Sequence, residues 1–158
     1  QDIMYSTATA WASWVAVSEW GDNSDGLIIA DHECNEYYTA KRYNALAHFS
    51  KFVPVGSKVI SNEKDVNDRV AWKIKKQMGF VILNKTNCAS FLTPDGSIVV
   101  VIVNDDAGCT FNFEGISGRD NLKIYTTNDQ YDLKLTYDGE YKQEVEIPGL
   151  SITTLIFS

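Results

Sequence analysis

The sequence predicts a mainly β protein: an antiparallel β-sandwich preceded by one strand and one helix. Three observations carry this expectation. Residues 90–104, SFLTPDGSIVVVIVN, read as two strands joined by a Pro94-Asp95-Gly96 turn. There Pro presets the first corner, Asp can bond its own backbone, and Gly tolerates positive φ. Residues 98–103 form an unbroken β-branched apolar run, which marks a strand covered on both faces. From Ser57 onward, short apolar runs alternate with turn residues in the rhythm of a sandwich.

Taken in order, residues 7–17 (TATAWASWVAV) place small residues among Trp11, Trp14 and valines and suit a buried strand. Residues 18–24 (SEWGDNS) are turn-formers and read as a loop, and residues 26–30 make a short apolar piece. Residues 37–52 carry Tyr38, Ala45, Leu46, Phe49 and Phe52 near helical spacing, with Lys41, Arg42 and Lys51 off the stripe, so a helix is expected there. It should stop before Pro54, because proline disfavours helical geometry in the residue ahead of it. Strands follow at 59–61, 85–93, 97–104, 110–113, 122–127, 133–137, 144–147 and 152–157. Between them, residues 62–79 read either as an amphipathic helix, through Val66, Val70, Ile74 and Met78, or as a strand, through the alternation of AWKIK.

With 158 residues, one well-buried domain is the default. An apolar share of 44% with 22% charged residues reads as globular rather than disordered. A net charge of −7 argues against nucleic acid or anionic membrane as a partner, since both need a basic surface. No apolar run is long enough to span a bilayer, and the first residues lack the basic region and apolar block of a signal peptide. Cys34, Cys88 and Cys109 match neither a zinc spacing nor an even disulfide framework. A Cys88–Cys109 bridge stays open if their strands become neighbours. Asn84-Lys85-Thr86 is a glycosylation sequon, a triplet that arises often by chance.

The candidates for chemistry are few. Glu19 tempts as a glycosidase nucleophile, but such hydrolysis ordinarily needs two carboxyl groups flanking one bond, and a single carboxylate in an acidic loop reads as solvated. Asp31, His32, Glu33 and Cys34 crowd four potential ligands without a metal spacing and read as a solvated loop. His48, inside the helix, reads as a packed residue, because no nucleophile motif accompanies it. Trp11 and Trp14 offer flat apolar faces that can stack on sugars, although tryptophans in strands ordinarily serve the core. No cofactor is expected.

Residues 43–57, YNALAHFSKFVPVGS, resemble the last barrel helix and following linker of glycoside hydrolase family 30, as found in glucosylceramidases. Trp11-Ala-Ser-Trp14 is similar to that family's final barrel strand, residues 92–97 (LTPDGS) through Asn104 to its sandwich hairpin, and residues 151–155 (SITTL) to its closing strand. The resemblance implies the end of a (β/α)8 barrel over residues 1–54 and a β-sandwich over 55–158. It implies a retaining hydrolase of β-linked sugars in the complete protein, extracellular or secreted, with Trp14 lining the sugar site and Trp11 behind or beside it. The acid/base and nucleophile of such enzymes lie on earlier barrel strands, so this chain should be silent alone and should partner the barrel. A free-standing carbohydrate-binding or interaction module is the rival reading, and a small enzyme using Glu19 a distant third.

Overall fold

The computed structural model describes residues 10, 12–13, 15–19, 25–60, 86–116 and 118–158. The expected element over 62–79 lies outside the described residues; of the expected strand over 7–17, residues 10, 12–13 and 15–17 are described and only Val17 among them is in a strand. Chain order is β1 (Val17–Glu19), β2 (Ile28–Asp31), β3 (Glu36–Thr39), α1 (Lys41–Ser50), β4 (Lys58–Ile60), β5 (Thr86–Leu92) and β6 (Ile98–Asn104). Then follow β7 (Cys109–Asn112), β8 (Asn121–Thr127), β9 (Lys134–Glu140), β10 (Glu144–Ile147) and β11 (Ser151–Phe157). Among the described residues these strands form a six-stranded sheet ordered β4-β5-β6-β11-β8-β9, a two-stranded sheet β10-β7 and a three-stranded sheet β1-β2-β3.

The expected hairpin is β5 and β6, paired antiparallel from Thr86↔Asn104 to Leu92↔Ile98. Its turn closes through Gly96 N–H to Thr93 O at 3.0 Å and Thr93 N–H to Ser97 O at 2.9 Å. Asp95 Oδ1 accepts from the Thr93 hydroxyl and the Ser97 amide, and Gly96 sits at φ +87°, which a side chain would strain. Those bonds hold the Asp95 carboxyl below its ordinary range.

β6 is covered on both faces, as its composition demands. Val100 and Ile102 join Leu122, Ile124, Val145, Ile147, Leu155 and Phe157 in the core between the six-stranded sheet and β7–β10. Val99 and Val101 face the other way, into a second cluster with Ala89 and Phe91, against which Phe49, Phe52 and Val53 pack. The inner sheet is thus a shared wall, with the sandwich partner on one side and α1 on the other.

The helix is shorter than the sequence suggests, and the difference is a hairpin. Tyr37 and Tyr38 belong to β3, which pairs antiparallel with β2. Asp31 Oδ1 accepts the amides of Glu33 and Cys34 at 3.0 and 3.1 Å, and Asn35 takes φ 54°, so the 31–35 stretch reverses the chain. Helix α1 begins only after Ala40, whose extended backbone supplies no side-chain cap. Lys41 and Arg42 in its first turn oppose the helix dipole. Each is met by an acid: Lys41 Nζ by Asp132 at 2.7 Å and Arg42 by Asp25 at 3.3 Å. Lys41 Nζ also donates to Asn128 O at 2.7 Å, fixing the helix start to the β8–β9 loop. The helix stops before Pro54, as expected.

Two further corrections are local. Ser18 and Glu19, read as loop, end β1, which runs parallel to β2 from Val17↔Ile28 to Glu19↔Ala30. The pairing is stabilised by the Ser18 hydroxyl, which accepts the Gly26 amide at 3.0 Å. A Cβ at Gly26 would stand 2.6 Å from Ser18 and from Ile28 O, so only glycine fits. Strand β9 starts at Lys134, because Leu133 holds φ 49°. No disulfide joins Cys34, Cys88 or Cys109, although Cys88 and Cys109 pack against the same core.

Candidate functional site

Trp11 and Trp14 lie outside the described residues, as do Trp20 and Trp72. What the structure does describe is the sheet that the Trp11–Trp14 segment leads into. Sheet register decides which residues share a face, since directly paired residues point the same way. Glu19 pairs with Ala30 and Ala30 with Tyr37, so these three form one row across β1, β2 and β3. Val17, Ile28 and Thr39 form the next row on the same face. Tyr37 is 76% exposed and Val17 54%. The opposite face carries Ser18, Ile29 and Tyr38, and there Ile29 is only 1% exposed. The face carrying Tyr37 and Val17 is therefore open, while the other covers Ile29 at its centre and leaves Tyr38 44% exposed at its margin.

At the end of the open face, His32 Nε2 approaches Glu19 Oε1 at 3.4 Å, both side chains about three-quarters exposed. Glu19 is thus brought to an imidazole, which is not the opposed carboxyl pair that glycoside hydrolysis uses. The four crowded polar residues separate into roles: Asp31 shapes the turn, His32 meets Glu19, and Glu33 and Cys34 supply amides to Asp31. Among the described residues, no group of three or more His, Cys, Asp or Glu could hold a metal ion.

His48 is fully buried. Its Nδ1 lies 2.7 Å from the Thr154 hydroxyl and its Nε2 2.9 Å from that of Thr127. Burial pushes its pKa down to about 4, so the ring is neutral near pH 7. Phe52 packs at a tilt on Tyr125, centroids 4.4 Å apart, and Phe49 meets Phe91 edge-on at 6.4 Å. This is a docking seam between helix and sheet, the packed role that the sequence suggests for His48.

A shallow open depression of about 260 Å³ lies elsewhere on the sandwich, lined by Phe113, Ile116, Tyr141 and Gln143 among others. Two of its polar groups are already engaged: the Tyr141 hydroxyl donates to Phe113 O at 2.8 Å and the Gln143 amide to Asn112 at 3.1 Å. Sequence reading missed Tyr37 and the Glu19–His32 contact. The available signal was two short runs, IIAD and EYYT, joined by turn-formers, which is a hairpin pattern.

Residues 55–155 match the glycosyl hydrolase family 30 beta sandwich domain. The chain belongs to that family. Its fold is similar to a conserved exported protein from Bacteroides fragilis, at TM-score 0.73 and 21% identity over 98% of this chain and 31% of that one. It is also similar to the catalytic domain of a family 30 xylanase from Talaromyces cellulolyticus, at TM-score 0.65 and 18% identity over 92% of this chain and 30% of that one. A family 30 endoxylanase from Clostridium papyrosolvens follows at TM-score 0.54 and 19% identity, over 76% and 28%. The chain therefore spans less than a third of each of these proteins. A comparison with curated protein sequences finds no match. Among the described residues, no helix is long and apolar enough to cross a membrane.

Proposed function

We propose that this chain forms the C-terminal portion of a family 30-like retaining glycoside hydrolase acting on a β-linked glycan, and that it is a scaffold rather than the catalytic part. Residues 1–54 close a (β/α)8 barrel as its last strand and helix, and residues 55–158 are the sandwich packed beside it. The observation that carries this reading is the extent of the structural likeness. It runs over 92% of this chain onto a xylanase catalytic domain, reaching past the sandwich into the strand and helix ahead of it, yet it occupies only 30% of that domain. Strand β1 supports the same reading, since among the described residues it lies at the margin of its sheet, parallel to β2, where a further barrel strand would pair.

In such an enzyme the two catalytic carboxyl groups sit at the C-terminal ends of other barrel strands. Trp14 lines the sugar site from the final strand, with Trp11 beside it. The sandwich holds the last helix through the His48 seam and so fixes the strand ahead of it. The partners are the catalytic barrel and its carbohydrate substrate, in an exported protein. Hydrolysis of aryl β-glycosides by the 158-residue chain tests this directly. Turnover at background, unchanged by Glu19→Gln, is expected; robust turnover that Glu19→Gln abolishes would replace the scaffold with a small enzyme.

A further inference from the structure

We propose that the open face of the β1–β2–β3 sheet is a binding subsite for one uncharged pyranose unit, with Tyr37 as its platform and the Glu19–His32 pair as its polar wall. The choice of ligand rests on the glycosidase reading; the site itself rests on the sheet register. Glu19, Ala30 and Tyr37 stand in one row. Two strand spacings put β1 and β3 about 9–10 Å apart, and only the Ala30 methyl rises between them. The result is a trough the width of a single sugar ring, walled by an aromatic ring on one side and a carboxylate on the other.

Both walls are available. Tyr37 is 76% exposed, and the Glu19 and His32 side chains are 73% and 74% exposed. A pyranose has an apolar C–H face that lies on an aromatic ring and a rim of hydroxyls that a few placed polar groups can orient. The Glu19 carboxylate can accept from two adjacent hydroxyls, and the His32 ring, 3.4 Å from it, adds a third polar contact. Val17 and Ile28 in the neighbouring row extend the apolar floor. The carboxylate wall and the net charge of −7 select against uronates. Glu19 and His32 also lie at the carboxyl ends of two parallel strands, the end at which barrel strands present their ligands.

Titration of the isotope-labelled 158-residue chain with methyl β-xylopyranoside and methyl β-glucopyranoside, followed by NMR of the tyrosine rings, tests the subsite. The expected result is a Tyr37 ring response that saturates in the millimolar range. Tyr37→Ala and the trough-filling Ala30→Trp should each weaken binding about tenfold or more, and Glu19→Gln by several-fold. Methyl β-glucuronide should bind more weakly than either neutral sugar. A silent Tyr37 ring, or affinity unchanged in the well-folded Tyr37→Ala chain, overturns the subsite while leaving the glycosidase reading standing. Binding at Tyr37 by a chain whose barrel-joined form hydrolyses no β-glycoside overturns the glycosidase reading alone.

Discussion

His48 Nδ1 lies 2.7 Å from the Thr154 hydroxyl, a bond that ties α1 to an inner strand of the six-stranded sheet across 106 residues of sequence. Thr127 holds the other ring nitrogen at 2.9 Å and itself accepts the Leu133 amide at 2.9 Å. One imidazole thus joins the helix, β8 and β11. His48→Ala would leave two buried hydroxyls without this partner and a cavity in the seam, destabilising the chain by about 3 kcal/mol. Urea unfolding measures this; a loss below about 1 kcal/mol would mean the seam closes without the ring.

The same residue sets a pH dependence. The folded pKa of about 4 lies below the ordinary 6.5, because burial disfavours the charged ring. Between those values the unfolded chain binds more protons than the folded one. Stability is therefore full above about pH 6.5 and falls as pH drops toward 4, by about 3 kcal/mol in all. Melting temperature across pH 7.5 to 4 should show this slope, and His48→Phe should flatten it. An equal slope in both proteins would assign the effect to other groups.

Asn104 closes the end of β6. Its amide donates to Ala107 O at 2.9 Å and Pro148 O at 3.0 Å, while its oxygen accepts the Thr86 hydroxyl at 2.9 Å and the Asp106 amide at 3.2 Å. The residue is 2% exposed. Asn104→Ala should destabilise by about 1–3 kcal/mol, since it removes four part-buried hydrogen bonds at once. Hydrogen exchange should rise first in the β6–β7 connection. Unchanged protection there would show that the loop holds itself.

Val101 is 1% exposed on the helix-facing side of β6. Val101→Asp would bury a carboxylate without a partner, and a loss of roughly 3 kcal/mol or more is expected. Circular dichroism should report an unfolded or aggregated chain. A soluble variant with an unchanged melting transition would contradict a core on that face.

The sandwich was legible in sequence because its signals are local. The Pro94-Asp95-Gly96 turn, the β-branched run of β6 and the turn spacing before β8, β10 and β11 each act within a few residues. The β2–β3 hairpin was hidden because Tyr38 also completes a stripe at helical spacing with Leu46 and Phe49, and Lys41 follows no capping residue that would mark a helix start. The Glu19–Ala30–Tyr37 row arises only from pairing between strands far apart in sequence, which periodicity does not carry. Trp11 and Trp14 were readable as aromatic candidates, and their role belongs to the proposed barrel.

Complementation decides whether this chain is the scaffold of a hydrolase. Mixed with a polypeptide carrying the preceding barrel strands of the same protein, it should bind in a one-to-one complex and restore turnover of a β-linked aryl glycoside that neither piece hydrolyses alone. Trp14→Ala should cut that restored turnover, and His48→Ala should weaken the complex by loosening the strand and helix that the barrel needs. Absence of a complex, or micromolar oligosaccharide binding by the lone chain that survives Trp14→Ala and is lost in Trp20→Ala or Trp72→Ala, would contradict the scaffold and identify an independent carbohydrate-binding module.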